Sequence, residues 1–382
     1  MSSPPATATR PHGSSLPEEI FVWEILVRLP HKDLIRCRAV SHAWRRAASA
    51  RDVLLEHHRR QRPLPLINRI GSPGETRWNT IAALDHRAAQ RLQPVARLDG
   101  FHVVVKASCD GLLLLEEGLR GTPLGMRASI CNPATRQIGR LPQLKGYVVL
   151  ALYRHRPTGE YRLLLRWVYN RRSMYIFALD RHQLPPSRVH CPLDASCYQS
   201  SFSTPVLLRD HLHWTWHTPT LPRQTESKTV LVFDTAAESF RQMCSPVVPV
   251  YRADLFEMDG VLGMYSWDNG MRAVRIWVMQ DYESHVWSLK CCVKLPVPEM
   301  PQVHERRAGR NLMAVYEEGC VRVLVACGEL LLYVDTEGKL LASSRDDDGH
   351  SFSISKQFLK QSLVSHAFFS TLQGDTNAWP FI

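Results

Sequence analysis

The nine residues VFDTAAESF, 232–240, put an apolar pair ahead of an acidic residue and a run of small ones. This reads as the end of a short strand entering a turn. Related texts recur as ICNPATRQI (130–138), FALDRHQL (177–184), WVMQDYES (277–284) and YVDTEGKL (333–340). Their polar markers are Asn132, Asp180, Asp234, Asp281 and Asp335, spaced by 48, 54, 47 and 54 residues. A second mark, a turn ahead of a short apolar strand, reads DGLLLL (110–115), DHLHW (210–214), DGVLGMY (259–265) and CGELLLY (327–333). A period of about 50 residues fits four-stranded propeller blades. One such sheet cannot cover its own faces, whereas radial stacking lets each cover the next. The expected all-β region, residues 95–382, has room for five or six blades, and a β-sandwich is the alternative architecture.

Upstream the texture is helical. LPEEIFVWEILVRLPHKDLIRCRAVSHAWRR (16–46) reads as two or three short helices, with a further one around Asp52–His58. Ser15 and Glu18 have capping-box spacing. Ile20, Trp23, Leu26 and Val27 recur at helical spacing, Pro30 ends that run, and Ser41 can cap a later helix. A unit of this size sits at the margin of independent stability, so its apolar residues need another surface. The fold expected is α+β multidomain. Residues 1–14 are a disordered lead-in and 15–62 an all-α domain of three to four short helices. Residues 63–94 are a linker and first-strand region, because RPLPLINRIGSPGETRW (62–78) is rich in Pro and Gly. Residues 95–382 form the β domain.

Hydrophobic residues make up 45% of the 382 and charged residues 22%, ordinary values for a globular chain with a large core. The formal net charge is +11, spread along the chain rather than gathered in a basic tract. Nucleic-acid binding is therefore not expected. The apolar runs YVVLALY (147–153) and LLLYV (330–334) are far too short to span a membrane. A soluble protein of the cytoplasm, the nucleus or both is expected. The ten cysteines include no CxxC pair, so zinc-ribbon spacing is absent.

Residues 16–62 resemble an F-box. The resemblance rests on Leu16-Pro17, Leu26, Leu29-Pro30, Lys32-Asp33-Leu34 and Arg38-Ala39-Val40-Ser41 leading to Trp44-Arg45. DGLLLL, CNPATRQIGRLP (131–142), VFDTAAESFRQM (232–243) and IWVMQDYESHVWSLK (276–290) resemble the F-box-associated repeats of a large plant family. KQSLVSHAFF (360–369) resembles that family's last strand, expected to help close the ring. One departure is His211, which follows Asp210 where the related marks have Gly.

The resemblance implies a partner for the helical unit, the Skp-type adaptor of a cullin-based ubiquitin ligase. It also implies a β domain that holds a substrate protein, of a kind the sequence does not name. The family's apolar positions fall on Leu16, Pro17, Ile20, Leu26, Leu29, Pro30, Leu34, Cys37, Val40 and Trp44. Burying one Leu or Ile side chain is worth roughly 1.5–3 kcal/mol, so about five anchors can offset an association cost of about 4–15 kcal/mol.

No catalytic residue, cofactor or metal is expected. GxSxG, Walker, HExxH and dinucleotide motifs are all absent. DHLHWTWH (210–217), read as one strand, puts His211, His213 and His217 on one face, but a packed strand explains it better than a metal site. Cys291 and Cys292 are adjacent and point to opposite faces of a strand. Asp346-Asp347-Asp348-Gly349 reads as a solvated turn without calcium-loop spacing. The alternative function is a glycan- or small-molecule-binding propeller with the helices as a docking arm.

Overall fold

In the computed structural model the chain forms two compact units, 1–62 with Gln361–Val364 and 63–360 with 365–382. The structure describes residues 18–372 apart from 72–77, 86–90, 100–102, 118–126, 143, 171–172, 182, 192–200, 218–228, 247–251, 268–269, 271 and 297–310. The lead-in 1–14, the cap residue Ser15, and Leu16 and Pro17 lie outside the described residues.

The first unit is helical. Helix α1 (Glu18–Ile20) runs on as a π turn over Phe21–Ile25 and a 3-10 turn over Leu26–Arg28. Then come α2 (His31–Cys37), α3 (His42–Ala47) and α4 (Arg51–Arg60). Ser41 caps α3 as expected, its Oγ accepting from the Trp44 N–H at 3.2 Å. Helix α4 has Asp52 in its first turn and four basic residues in its last, which suits the helix dipole. The first buried stripe differs from the expected one. Val22, Leu26 and Val27 are buried, while Ile20 and Trp23 are exposed. The wide π turn rotates the side chains after it away from 3.6-residue spacing.

The second unit is a six-bladed β-propeller, not a sandwich. Blade 1 contains Leu64–Ile70, Trp78–Asp85 and Arg91–Asp99. Its fourth, innermost strand is Ser351–Leu359, from the other end of the chain. Blade 2 runs from Val103–Cys109 to Gln137–Arg140, blade 3 from Tyr147–Arg154 to Ser187–Val189, and blade 4 from Val206–Leu208 to Ser239–Cys244. Blade 5 runs from Arg252–Met258 to Val286–Lys294 and blade 6 from Asn311–Glu317 to Leu340–Arg345. All neighbouring strands within a blade are antiparallel. A small extra pair joins Ser201–Phe202 to Trp216–His217.

Two expectations change here. The region 63–94, expected to hold linker and a first strand, holds Leu64–Ile70, Trp78–Asp85 and the start of Arg91–Asp99, and Pro65 is tolerated beside a bulge. The ring is closed by Ser351–Leu359 and not by KQSLVSHAFF. Of that segment, Gln361–Val364 groups with the helical unit, and Phe368–Thr371 is a short helix, α5, with Phe368 buried between blades 2 and 3.

Six separate apolar clusters fill the six seams between blades. VFDTAAESF shows how one strand serves two of them. Val230 and Val232 pack toward blade 5, and Leu231 and Phe233 toward blade 3. Side chains alternate across a strand, and here both faces are covered, so the run is continuously apolar. Asp234 then ends the strand. Its Oδ1 accepts from the Ala236 and Ala237 N–H groups, both at 2.8 Å. Asn132, Asp281 and Asp335 do the same at the corresponding turns of blades 2, 5 and 6. Asp180 lies in a 3-10 turn instead.

The second mark is the hairpin between the first two strands. Asp110-Gly111 has φ of 49° and 85°, and Asp259-Gly260 has 45° and 75°, the two left-handed residues of a type I′ turn. Blade 4 uses Arg209-Asp210, at 49° and 62°. Asp210 therefore takes the glycine's place, and His211 starts the next strand opposite Leu208. CGELLLY is not equivalent. It joins the second and third strands of blade 6, whose first hairpin turns at Glu318-Gly319. The turn aspartates also latch adjacent blades. The Tyr161 hydroxyl donates to Asp110 at 3.0 Å and the Tyr316 hydroxyl to Asp259 at 2.7 Å.

Candidate functional site

The apolar residues singled out in the helical unit divide by exposure. Leu26 and Leu34 are fully buried and Cys37 nearly so, inside the unit's own core. Leu29 and Trp44 are half-buried, with Trp44 against Phe21 at a ring-centroid distance of 4.3 Å. Ile20, Pro30 and Val40 are exposed, Val40 at 62%. Trp23, Ile25, Ile35 and Leu55 are exposed too, which sequence reasoning did not bring out. The adjacent pair Leu34-Ile35 carried a signal, since neighbours on a helix cannot share a narrow buried stripe.

His57 fixes the Leu29-Pro30 corner to α4. It is fully buried, and its Nε2–H donates to the Leu29 carbonyl at 2.9 Å. Burial lowers its pKa, the Leu29 bond opposing and His58 adding to that shift. His58 Nδ1 lies 3.0 Å from the Gln361 carbonyl, so the segment after the closing strand is held on the same helix.

The candidate metal groups take structural roles in the described residues. DHLHWTWH is two strands broken at Thr215. His213 is fully buried, with its Nδ1–H donating to the Val206 carbonyl at 3.2 Å and Nε2 accepting from the Tyr282 hydroxyl at 2.8 Å. The side chains of Trp216 and His217 lie outside the described residues. Arg241 and Arg209 both sit over the Tyr282 ring at 5.3 Å. Cys291 is half-buried and Cys292 exposed, opposite Ile276 and Arg275. Asp346, Asp348 and His350 converge as a metal group could. Arg69 fills that place, its guanidinium 2.5 Å from Asp346 and 3.4 Å from Asp348. His350 Nδ1 is 2.8 Å from Asp346.

Burial lowers the His213 pKa to about 4, with the Val206 bond opposing it and His211 and Arg241 contributing. The folded propeller thus holds His213 neutral, and its contribution is complete above the unfolded value near 6.5. That contribution is lost as pH falls through about 4, to a limit of about 3 kcal/mol. Denaturant midpoints measured from pH 7.5 to 4 should fall more steeply for the natural chain than for His213→Gln. Parallel curves would contradict the assignment.

Comparison with known proteins matches this architecture. Residues 96–314, more than half of the chain, match the family model described as "F-box associated beta propeller domain", and residues 14–59 match the one described as "F-box-like". Two Arabidopsis thaliana proteins named as F-box proteins, At1g33530 and At1g30925, are 23% and 25% identical over 71% and 74% of the chain. The chain spans 58% and 53% of their lengths. Among solved structures, a puromycin hydrolase mutant and a luciferin-regenerating enzyme each align with a TM-score of 0.40, at 12% and 14% identity. Both cover 63% of this chain, and 39% and 74% of their own. Among the described residues no helix is long and apolar enough to cross a membrane. A short helical unit, the ring of six blades and the two family matches agree, and the chain belongs to the plant F-box proteins that carry an F-box-associated β-propeller.

Proposed function

We propose that this protein is a non-catalytic substrate-recognition subunit of a Skp–cullin–F-box ubiquitin ligase, acting in the cytoplasm, the nucleus or both. The helices dock the Skp-type adaptor, and through it the cullin. The propeller holds the substrate, so that its lysines meet the ubiquitin-loaded enzyme at raised effective concentration. The observation that carries this reading is the number of large apolar residues left in solvent on a very small unit, with Val40 62%, Ile20 45% and Ile35 40% exposed. Exposed apolar patches of this kind mark interaction sites. Ile20, Pro30, Ile35 and Val40 are the docking residues. Leu29 and Trp44 are at their margin, and Leu16 and Pro17 extend the set by family resemblance. Leu26, Leu34 and Cys37 support the unit from inside.

Co-expression with a plant Skp-type adaptor tests this. The natural chain should co-purify with it, and Ile35→Glu with Val40→Glu should abolish capture while circular dichroism stays unchanged. Both residues are exposed, so the pair leaves the core intact. A well-folded natural chain that ignores several adaptors would sink the proposal.

A further inference from the structure

One end of blade 3 carries an aromatic ladder whose inner rings, Tyr147 and Tyr175, pack against the seam with blade 2 and whose outer ring, Tyr169, is left in solvent. Tyr147 and Trp167 are direct cross-strand partners with ring centroids 4.6 Å apart. Tyr175 continues the ladder on one side at 5.2 Å from Tyr147, and Tyr169 on the other at 5.6 Å from Trp167. Tyr169 is 68% exposed, and the other three rings are half-buried. The Trp167 ring lies flat on Gly146, where a Cβ would come within 2.7 Å of it. Gly146 has φ of +79°, and its carbonyl accepts from the Val168 N–H at 2.8 Å. The turn and the indole are therefore locked together.

The charges around the ladder have one sign. Arg188 stands directly opposite Tyr175 on the outer strand. Lys145 precedes Gly146 in the turn, and Arg140 ends the last strand of blade 2. All three are exposed, and none has a carboxylate at ion-pair distance among the described residues. Of the acids at the facing end of blade 2, Glu116 pairs with Lys106 at 3.7 Å, and Glu117 is the cross-strand neighbour of Arg127.

We propose that this end of blade 3 binds an acidic, proline-containing extended segment of the substrate protein. A row of rings is the surface that polyproline-type peptides dock on, because their conformation is already extended and little entropy is lost. The unpaired cations select acidic side chains flanking the prolines. A neutral glycan would use the rings but leave the three cations uncompensated. This inference rests on the propeller being the substrate-binding half of the protein.

The test uses the full chain and a fluorescein-labelled peptide of Glu-Pro repeats, read by fluorescence anisotropy, beside a Lys-Pro peptide and chitohexaose. The Glu-Pro peptide should bind and the other two should not. Tyr169→Ala, at an exposed site, should weaken binding roughly fivefold. Lys145→Glu with Arg188→Glu should weaken it roughly tenfold or more. Arg46→Glu, on the helical unit, should change nothing. Equal affinity across these variants would mean attraction to net charge alone and overturn the proposal. So would no binding, or a Tyr169-dependent response to chitohexaose instead. Adaptor capture by the same variants separates the two readings: Tyr169→Ala should co-purify normally. A chain that binds the peptide but no adaptor contradicts the ligase assignment and leaves the ladder assignment standing.

Discussion

Arg69→Ala lowers the stability of the propeller by about 3 kcal/mol. Arg69 lies on the strand Leu64–Ile70 of blade 1, and Asp346 lies in the connection that delivers the closing strand. The Asp346 side chain is 1% exposed, so its carboxylate depends on this guanidinium, on His350 and on backbone N–H groups. Burial alone would raise its pKa, but the hydrogen bonds from Arg69 and His350 outweigh burial and hold it below its ordinary value. Removing Arg69 leaves a buried charge without its cation, which costs more than the pair contributes when intact. The sign of the pH effect follows. A lowered carboxyl pKa contributes stability that is complete above the unfolded value of about 3.9 and is lost as pH falls through the folded one. Urea unfolding should therefore separate the natural chain from Arg69→Ala near pH 7, with the gap narrowing in acid. A gap below about 1 kcal/mol at pH 7 would mean that the connection is held by other contacts.

Lys356→Ala is the second large effect, again about 3 kcal/mol. Lys356 sits in the closing strand at a bulge, with φ of +59°, where a non-glycine residue is strained. Its ammonium pairs with Asp254 on the innermost strand of blade 5 and lies 5.4 Å from the centre of the Trp267 ring. The Asp254 side chain is 5% exposed. The contact joins blade 1 to blade 5 past blade 6, so it ties the end of the chain across the closure. Alanine removes the cation and keeps the strain. Glycine removes both, and Lys356→Gly should be more stable than Lys356→Ala by about 1 kcal/mol. Equal stabilities would show that the left-handed backbone stores nothing there.

The repeat was legible because its markers have local physical jobs. Asn132, Asp234, Asp281 and Asp335 each cap a turn with their own side chain, and that turn recurs at the same place in blades 2, 4, 5 and 6. The apolar strands before them follow from burial on both faces. Blade 1 was hidden for two reasons. Its closing strand is supplied from residues 351–359, a non-local pairing that no local pattern announces. Its strand Leu64–Ile70 begins Leu64-Pro65, and proline speaks against a strand unless a bulge accommodates it. Asp210 was misread by one position because aspartate, like glycine, tolerates the left-handed region, so Arg209-Asp210 turns where Asp-Gly was expected. In the helical unit the family positions were legible, but their division into buried and exposed was not. A π turn at Phe21–Ile25 changes the face that residues 20–27 present, and helical spacing assumes that no such turn occurs. The ladder on blade 3 escaped notice because Tyr147, Trp167, Tyr169 and Tyr175 belong to three different segments that only strand pairing brings together.

Hydrogen–deuterium exchange of the full chain, alone and with a Skp-type adaptor in excess, tests the central claim most directly. Docking by the exposed apolar residues predicts added protection over about residues 18–45, strongest around Ile35 and Val40, with the six blades unchanged. Protection confined to the propeller, or none at adaptor concentrations that saturate other F-box proteins, would contradict it.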